Sequence, residues 1–294
     1  MLQQLFSYNK EFTMKIKKGW YALFTLPLML VFFTVVVIPF LIGIGYSFVK
    51  WDGFAKHAAV FVGFANYAAL FKDTRFLHSV GRTVLFTIIT VITVNVSGLA
   101  FALIVTTKLK VRNAARAMLF MPYLIGGLIL GYIWKSVFSE FFLSIGLGNW
   151  LTDAGKSIIA MIIVTTWQMA GYVMIIYITG IMAISDDVIE AAQVDGANYW
   201  QTFLNIRFPL LMPSFTINLF LTLSNCFKVY DVNISLTGAG PANQSEMFSL
   251  NVFNEIFSLN NFGYGQAKAI VFFLIIAAVT LVQVSITKKK EVQM

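Results

Sequence analysis

Long apolar segments separated by short polar stretches dominate the chain. Each is hydrophobic over about 20 residues or more, which is the length that a helix needs to cross a bilayer. A segment in lipid must satisfy its own backbone hydrogen bonds, and a helix does so. The pattern predicts an all-α membrane protein with six transmembrane helices, near residues 21–48, 83–106, 115–138, 157–183, 211–235 and 266–287.

Composition also indicates that the bilayer is part of the solvent. The chain is 59% hydrophobic and only 12% charged, whereas a soluble domain is about half apolar and a quarter charged. The first apolar run is too long for a secretion signal, so we expect it to be retained. We therefore predict a cytoplasmic segment at 1–20, a transmembrane domain at 21–287 and a cytoplasmic tail at 288–294.

Basic residues predict the orientation. Twelve of the 21 Lys and Arg residues fall on one side of the predicted spans. Because cytoplasmic loops are enriched in Lys and Arg, both termini are predicted to be cytoplasmic. The net charge of +8 is thus explained by topology, and no nucleic acid partner is expected. These twelve residues are Lys10, Lys15, Lys17, Lys18, Lys108, Lys110, Arg112, Arg116, Arg207, Lys288, Lys289 and Lys290.

The sequence offers no catalytic or cofactor site of its own. Cys226 stands alone in an apolar run, which favours a packing role. His57 and His78 lack ligand-like companions, so no metal is expected. Residues 155–157 resemble the end of a phosphate-binding loop, but Trp150 stands where that loop needs Gly. We expect no enzyme activity and no bound nucleotide.

The predicted cytoplasmic loop at 185–212 is unusually long and has helix signals. Ser185 or Asp186 can cap a helix, and acidic residues in its first turns complement the helix dipole. Gly196 permits a tight turn and Pro209 restricts the backbone before span five. These features alone fit either a helix that docks a partner or a linker that lies on lipid headgroups.

A spaced motif in this loop resembles the EAA loop of bacterial ABC import permeases. Glu190-Ala191-Ala192, Gly196, Ile206 and Pro209 stand in its register, with Phe208 where Leu is usual. In that family the loop is a coupling helix that sits in a cleft of the ATPase subunit. The resemblance implies ATPase-coupling residues at Glu190, Ala191, Ala192, Asp195, Gly196, Ile206 and Pro209.

Further motifs resemble the carbohydrate-type branch of these permeases. Residues 227–231 and 236–241 are similar to its "FKVFD…LTGGGP" signature, with Ala239 replacing a Gly. Residues 63–67 also match, whereas Arg82-Thr83 departs from the usual Asn-Thr. Other matches are Met121-Pro122-Tyr123, Trp134, Trp167, Gly171-Tyr172 and 261–265.

The resemblance implies the first of two permeases in a sugar importer of the bacterial plasma membrane. It implies a core of spans two to six, at about 80–287, with span one wrapping a neighbouring subunit. Its implied partners are a second permease, two ATPase subunits that bind the ATP, and an external solute-binding protein. The implied substrate is a sugar or oligosaccharide.

Polar residues inside a span are costly, so they are candidates for function. Span five contains several, and Thr222, Asn225 and Lys228 are spaced to share a helix face. Such residues can instead form hydrogen bonds between helices. For Asn95 this packing role is the simpler explanation. Our substrate-binding candidates are Asn225, Thr222, Ser224, Lys228, Tyr132 and Gln168.

Other functions remain open on the residues alone. An ion-coupled secondary transporter would show inverted repeats and intramembrane charges, and neither is evident. Lys228 and Asp231 are more simply interpreted as a local ion pair than as part of an ion pathway. A permease for a non-sugar solute and a non-transporting scaffold are further alternatives, although a scaffold would not explain the polar residues of span five.

Overall fold

The structure is a computed structural model. It describes residues 18–107 and 110–291, with side chains from residue 23 onward. The predicted cytoplasmic segment before residue 18 and the last three residues of the tail lie outside the described residues. The basic residues Lys10, Lys15, Lys17 and Lys108, on which the predicted orientation partly depends, also lie outside them.

The first third of the chain forms a peripheral helix, a small hairpin and one long helix. A π-helical turn, Phe33–Val37, joins α1 to α2, and β1 pairs with β2 in antiparallel fashion. The elements are α1 (Lys18–Phe32), α2 (Ile38–Ser47), β1 (Val49–Lys50), β2 (Val60–Phe61), α3 (Ala65–Leu70) and α4 (Thr74–Val105).

The middle third contains a broken helix, a long helix and the helices of the predicted coupling loop. Short 3-10 or π-helical turns, at Met121–Leu124, Val137–Phe141, Trp150–Thr152 and Phe203–Arg207, link several of them. The elements are α5 (Arg112–Phe120), α6 (Gly127–Ser136), α7 (Phe142–Ser144), α8 (Ala154–Ala183), α9 (Asp186–Val194), α10 (Tyr199–Thr202) and α11 (Phe208–Leu210).

The last third contains α12 (Met212–Phe227), α13 (Phe248–Phe253) and α14 (Phe262–Lys288). Two π-helical turns, Asn233–Thr237 and Asn254–Ser258, and a 3-10 turn, Pro241–Asn243, lie between them.

The described residues contain four helices that are long and apolar enough to cross a membrane, and up to six if each bent helix pair counts as one span. The prediction of a helical protein with several long apolar helices is therefore confirmed, with one two-stranded hairpin that was not predicted. One pair, Arg112–Leu124 and Gly127–Ser144, is bent by 95°, and the other, Tyr199–Leu210 and Met212–Phe227, by 65°. Span two begins at Thr74, before the predicted residue 83, because the Asp73 carboxylate caps the helix by accepting a hydrogen bond from the Phe76 amide at 2.9 Å.

The helices α4 and α8 pack along their lengths and form the centre of the molecule. Valines and methionines fill their interface, with Val94, Val173 and Met174 fully buried. A buried polar link adds α12 to this pair. The Asn95 amide donates to the Thr222 hydroxyl at 3.1 Å, and Tyr177 donates its hydroxyl proton to Asn95 at 2.8 Å.

Span one lies apart from this centre. Its apolar window, within Leu23–Ser47, buries none of its residues inside the chain. It contacts α14, where the rings of Phe40 and Phe273 are 5.0 Å apart. Most of its hydrophobic surface therefore faces lipid or another subunit.

Candidate functional site

Two helix breaks meet at one pocket. The first is the sharp bend at residues 125–126, inside predicted span three, and the second is the interruption at residues 228–230, inside predicted span five. The pocket has a volume of about 260 Å³. It is lined by Tyr123, Gly127, Thr165, Gln168, Met169, Asn225, Lys228, Val229, Tyr230, Asp231 and Val232.

Interrupted helices are expected at such a place. Irregular backbone at membrane depth is tolerated only where it is buried in protein or lines a water-filled cavity. At the first break, the side-chain amide of Gln168 on α8 donates a hydrogen bond of 2.9 Å to the backbone carbonyl of Ile125, which would otherwise lack a helical partner. At the second break the chain leaves helical geometry after Phe227 and exposes Lys228 to the pocket.

Three of the six predicted substrate residues, Asn225, Lys228 and Gln168, line this pocket. Asn225 is exposed and donates from its amide to the Leu221 carbonyl of its own helix at 2.9 Å. Its Oδ1 accepts no hydrogen bond from the described residues and remains available to a solute. The structure thus brings together a carboxamide from α8 with a carboxamide and an ammonium group from the end of α12.

The other three predicted residues lie outside the pocket lining. Thr222 is fully buried, and its hydroxyl donates to the Asn218 carbonyl at 2.7 Å. Ser224 is half-buried in α12, and Tyr132 is an exposed residue of α6. No ion pair joins Lys228 to Asp231 within the described residues.

The aromatic part of the pocket differs from our sequence interpretation. Tyr123 lines the pocket and stacks on Tyr172 of α8, with ring centroids 4.4 Å apart and an interplanar angle of 12°. Tyr230 also lines it and packs against Phe253, with ring centroids 5.2 Å apart. The signal for Tyr123 was its place beside Pro122, because proline interrupts a helix and leaves the next side chains at the break.

Close packing fixes one wall of this pocket. Gly131 of α6 faces Ser235 so closely that an added Cβ would overlap the serine side chain, and Gly127 faces Asp231 in the same way. These glycines lie one helical turn apart. They allow α6 to approach residues 231–236 directly, which holds the two broken segments together.

A second feature is the predicted coupling loop. Ser185 caps α9 by accepting a hydrogen bond from the Asp187 amide at 3.3 Å. Gly196 has a φ of +79°, so the turn after α9 adopts the left-handed conformation that glycine favours. Asn198 then begins α10 through a capping box with Gln201. The sequence predicted the first of these two short helices from its cap, whereas the second was not predicted.

The predicted coupling residues differ in their exposure to solvent. Glu190, Ala191, Asp195 and Gly196 are exposed, Ala192 is buried, and Ile206 and Pro209 are half-buried. Large apolar side chains, also exposed, surround these residues, which is unusual for a surface loop. These side chains are Val188, Val194, Tyr199, Trp200 and Leu204.

Two helices connect the coupling loop to the pocket. Gln168 lies 16 residues before Ile184 on α8, a distance of about 24 Å along a helix. Similarly, α12 leads from the bend at Leu211 to Asn225, about 21 Å away. Regular helices therefore join the loop to both sides of the pocket.

The described residues contain no group of three or more His, Cys, Asp or Glu side chains that could hold a metal ion. Cys226 is buried within the hydrophobic core beside the pocket. The pocket offers amides, one ammonium group, one carboxylate and two phenol rings. These groups are suited to hydrogen bonding and ring stacking.

Known proteins resemble this chain over nearly its whole length. It is 45% identical, over 94% of its length and 96% of the relative, to the probable starch degradation products transport system permease protein AmyD of Thermoanaerobacterium thermosulfurigenes. It is 33% identical, over 93% and 96%, to the multiple sugar-binding transport system permease protein MsmF of Streptococcus mutans serotype c.

The fold also matches a solved transporter. A crystal structure of a bacterial ABC transporter involved in the import of the acidic polysaccharide alginate aligns with a TM-score of 0.78. Identity is 20%, and the match covers 93% of this chain and 97% of that one. Because identity is low, this match shows the fold alone.

Residues 80–292 match the family described as the binding-protein-dependent transport system inner membrane component. This match covers most of the chain and confirms the resemblance read from the sequence. The chain therefore belongs to that family of inner membrane transport permeases.

Proposed function

We propose that the chain forms half of the translocation pathway of an ATP-driven importer for a sugar or oligosaccharide. The observation that carries this proposal is the convergence of two interrupted helices on one pocket that contains amide and phenol groups. Sugars are recognised by such hydrogen-bonding groups together with aromatic faces. The relatives named for starch degradation products and for multiple sugars favour a product of starch breakdown.

The proposed assembly contains a second, similar permease, two ATPase subunits and a solute-binding protein. The family description names dependence on a binding protein. The exposed apolar residues around α9 support docking of a protein at this loop, which we assign to an ATPase subunit. The unburied surface of span one supports contact with the second permease. ATP then binds to the partner and this chain catalyses no reaction.

The proposed topology has six spans with both termini in the cytoplasm of a bacterium. Each bent pair counts as one span, and the basic residues Lys110, Arg112, Arg116, Arg207 and Lys288 lie at the same ends of the helices as α9. We divide the chain as predicted, with a core at about 80–287 and the coupling loop at 185–212.

We expect sugar uptake to require ATP and the binding protein. Proteoliposomes with the assembled importer should accumulate maltotriose when ATP is enclosed with the ATPase subunits and loaded binding protein is outside. A proton or sodium gradient should have no effect without ATP. Accumulation driven by an ion gradient alone would instead support a secondary transporter, whereas transport of sn-glycerol-3-phosphate in place of the sugar would support a non-sugar permease.

A side chain at Gly196 should uncouple the ATPase from transport. Gly196→Val forces a β-branched residue to a positive φ, which costs about 1–2 kcal/mol, and adds bulk at an exposed docking surface. We expect uptake to fall by about tenfold or more, because a coupling loss near 1.4 kcal/mol already gives that factor. The measurement is maltotriose uptake per transporter, together with co-purification of the ATPase.

The matched control is Gly148→Val. Gly148 has a similar φ of +76° and equally open surroundings, but it lies in a different loop. Its variant should transport normally. If Gly196→Val also kept the normal uptake rate with the ATPase attached, the coupling role would be wrong.

Asn225→Ala should change which sugars pass. Loss of one hydrogen bond is worth about 0.5–1.5 kcal/mol, or roughly a twofold to tenfold effect on a solute that uses it. We therefore expect the ratio of maltotriose to maltose uptake rates to shift by about threefold at saturating binding protein. Thr222→Val is the control, because the buried hydroxyl supports packing. This variant should lower the free energy of unfolding by about 1 kcal/mol and leave the ratio of maltotriose to maltose uptake unchanged. A normal ratio in Asn225→Ala would remove Asn225 from the site.

A further inference from the structure

A buried ion pair joins the start of α4 to the segment before α13. The Arg75 guanidinium donates two hydrogen bonds to the Glu246 carboxylate, at 2.8 Å and 2.6 Å. Glu246 is fully buried and also accepts from the amides of Asn251 and Asn254 at 3.0 Å and 2.7 Å. Burial opposes its ionisation, but these hydrogen bonds outweigh that effect and lower the pKa of the Glu246 carboxyl.

A second ion pair adds α14 to this contact. The fully buried Lys268 ammonium lies 2.7 Å from the Glu255 carboxylate and 2.9 Å from that of Asp73. It also donates to the Asn251 side chain at 3.1 Å, so Asn251 links the two ion pairs. Such networks are costly to disrupt from one side, because a charge is then left buried without its partner.

Glu246, the partner of Arg75, lies near the end of a strained loop at residues 238–247. Five residues between 238 and 243 have positive φ angles, and three of them, Ala239, Ala242 and Asn243, are not glycine. A backbone of this kind persists only when its surroundings hold it in place. The loop therefore requires anchors outside itself.

Helix α4 provides these anchors at three points. Arg75 binds Glu246 near the end of the loop. Arg82, where the carbohydrate-type pattern has Asn, donates to the Asn243 carbonyl at 2.7 Å. Thr83 accepts a hydrogen bond from the Phe248 amide at 2.8 Å, just after the loop.

The loop is connected directly to the pocket wall. Asn233, the residue after Val232 of the pocket, donates to the Ser245 carbonyl at 2.8 Å and accepts from the Met247 amide at 2.9 Å. Asn233 is fully buried, so these contacts set the position of the π-helical turn that follows residues 228–232. A shift at Glu246 is therefore transmitted through Asn233 to the wall that carries Lys228 and Tyr230.

We propose that Arg75, Arg82 and Glu246 are positioning residues for solute selection. They hold loop 238–247, and through Asn233 they fix the shape of the pocket wall at 228–232. This inference rests on the proposed function of the pocket. None of the three residues lines the pocket, so their effect on the solute is indirect.

The test compares uptake rates of two sugars in proteoliposomes that contain the assembled importer. At saturating loaded binding protein, the ratio of maltotriose to maltose rates does not depend on how many transporters are active. Arg82→Met and Arg75→Lys should each shift this ratio by about threefold, because each removes hydrogen bonds that anchor the loop. A defect confined to folding would lower both rates equally and leave the ratio unchanged, and that result would overturn the proposal.

Two further variants keep the test decisive. Arg75→Met combined with Glu246→Gln removes both charges together, so no charge remains buried alone, and membrane abundance should recover relative to Arg75→Met. The ratio should stay shifted, whereas a normal ratio would overturn the proposal. Lys72→Met is the control, because Lys72 is an exposed cation whose side chain has no hydrogen bond or ion pair among the described residues. Its ratio should be normal.

Asn225→Ala distinguishes this inference from the proposed function. If Asn225→Ala shifts the ratio and the anchor variants do not, the pocket stands and the positioning role is wrong. If neither shifts it, the pocket is not the solute site and both proposals fail.

Discussion

Backbone amide and carbonyl groups within a bilayer must find their partners inside the protein, and this constraint organises the molecule. A continuous helix meets the constraint by itself, whereas an interruption must be compensated by side chains or open onto water. In this chain the breaks at residues 125–126 and 228–230 share one pocket, and Gln168 supplies a hydrogen bond to the first. The location of the pocket thus follows from where the backbone departs from helical geometry.

Regular helices then connect this pocket to the rest of the molecule. Both α8 and α12 run from the coupling loop to the pocket, and the buried link between Asn95, Thr222 and Tyr177 ties them to α4. At the opposite end of α4, ion pairs join Arg75 to the segment before α13 and the cap residue Asp73 to α14. The pocket therefore lies between the loop proposed to dock the ATPase and loop 238–247, and the proposed coupling requires these helices to carry displacements from one to the other.

Much of this arrangement could be predicted from the sequence, because hydropathy and helix capping are local signals. The apolar runs and the Ser185 cap each depend on neighbouring residues, and α9 begins at Asp186 as its cap predicts. The breaks were missed, since Ile125 and Val229 are apolar and do not interrupt a hydropathy pattern. The ion pairs were missed because Arg75 and Glu246 are 171 residues apart. Thr222, Asn225 and Lys228 follow one another at intervals of three residues, so the sequence places them on one helix face. Which of them is buried depends on how the helices pack, and the sequence does not show that.

The central claim, that solute passes through the pocket where the broken helices meet, is tested most directly by protection of an introduced thiol. Lys228→Cys in a Cys226→Ser background would place the only cysteine of this chain in the pocket of the assembled importer. We expect a hydrophilic thiol reagent to modify it during turnover, and maltotriose to slow that modification, whereas Lys72→Cys, at an exposed position before α4, should be modified equally fast with and without sugar. Equal rates of modification of the Lys228→Cys variant with and without transported sugar would contradict the account.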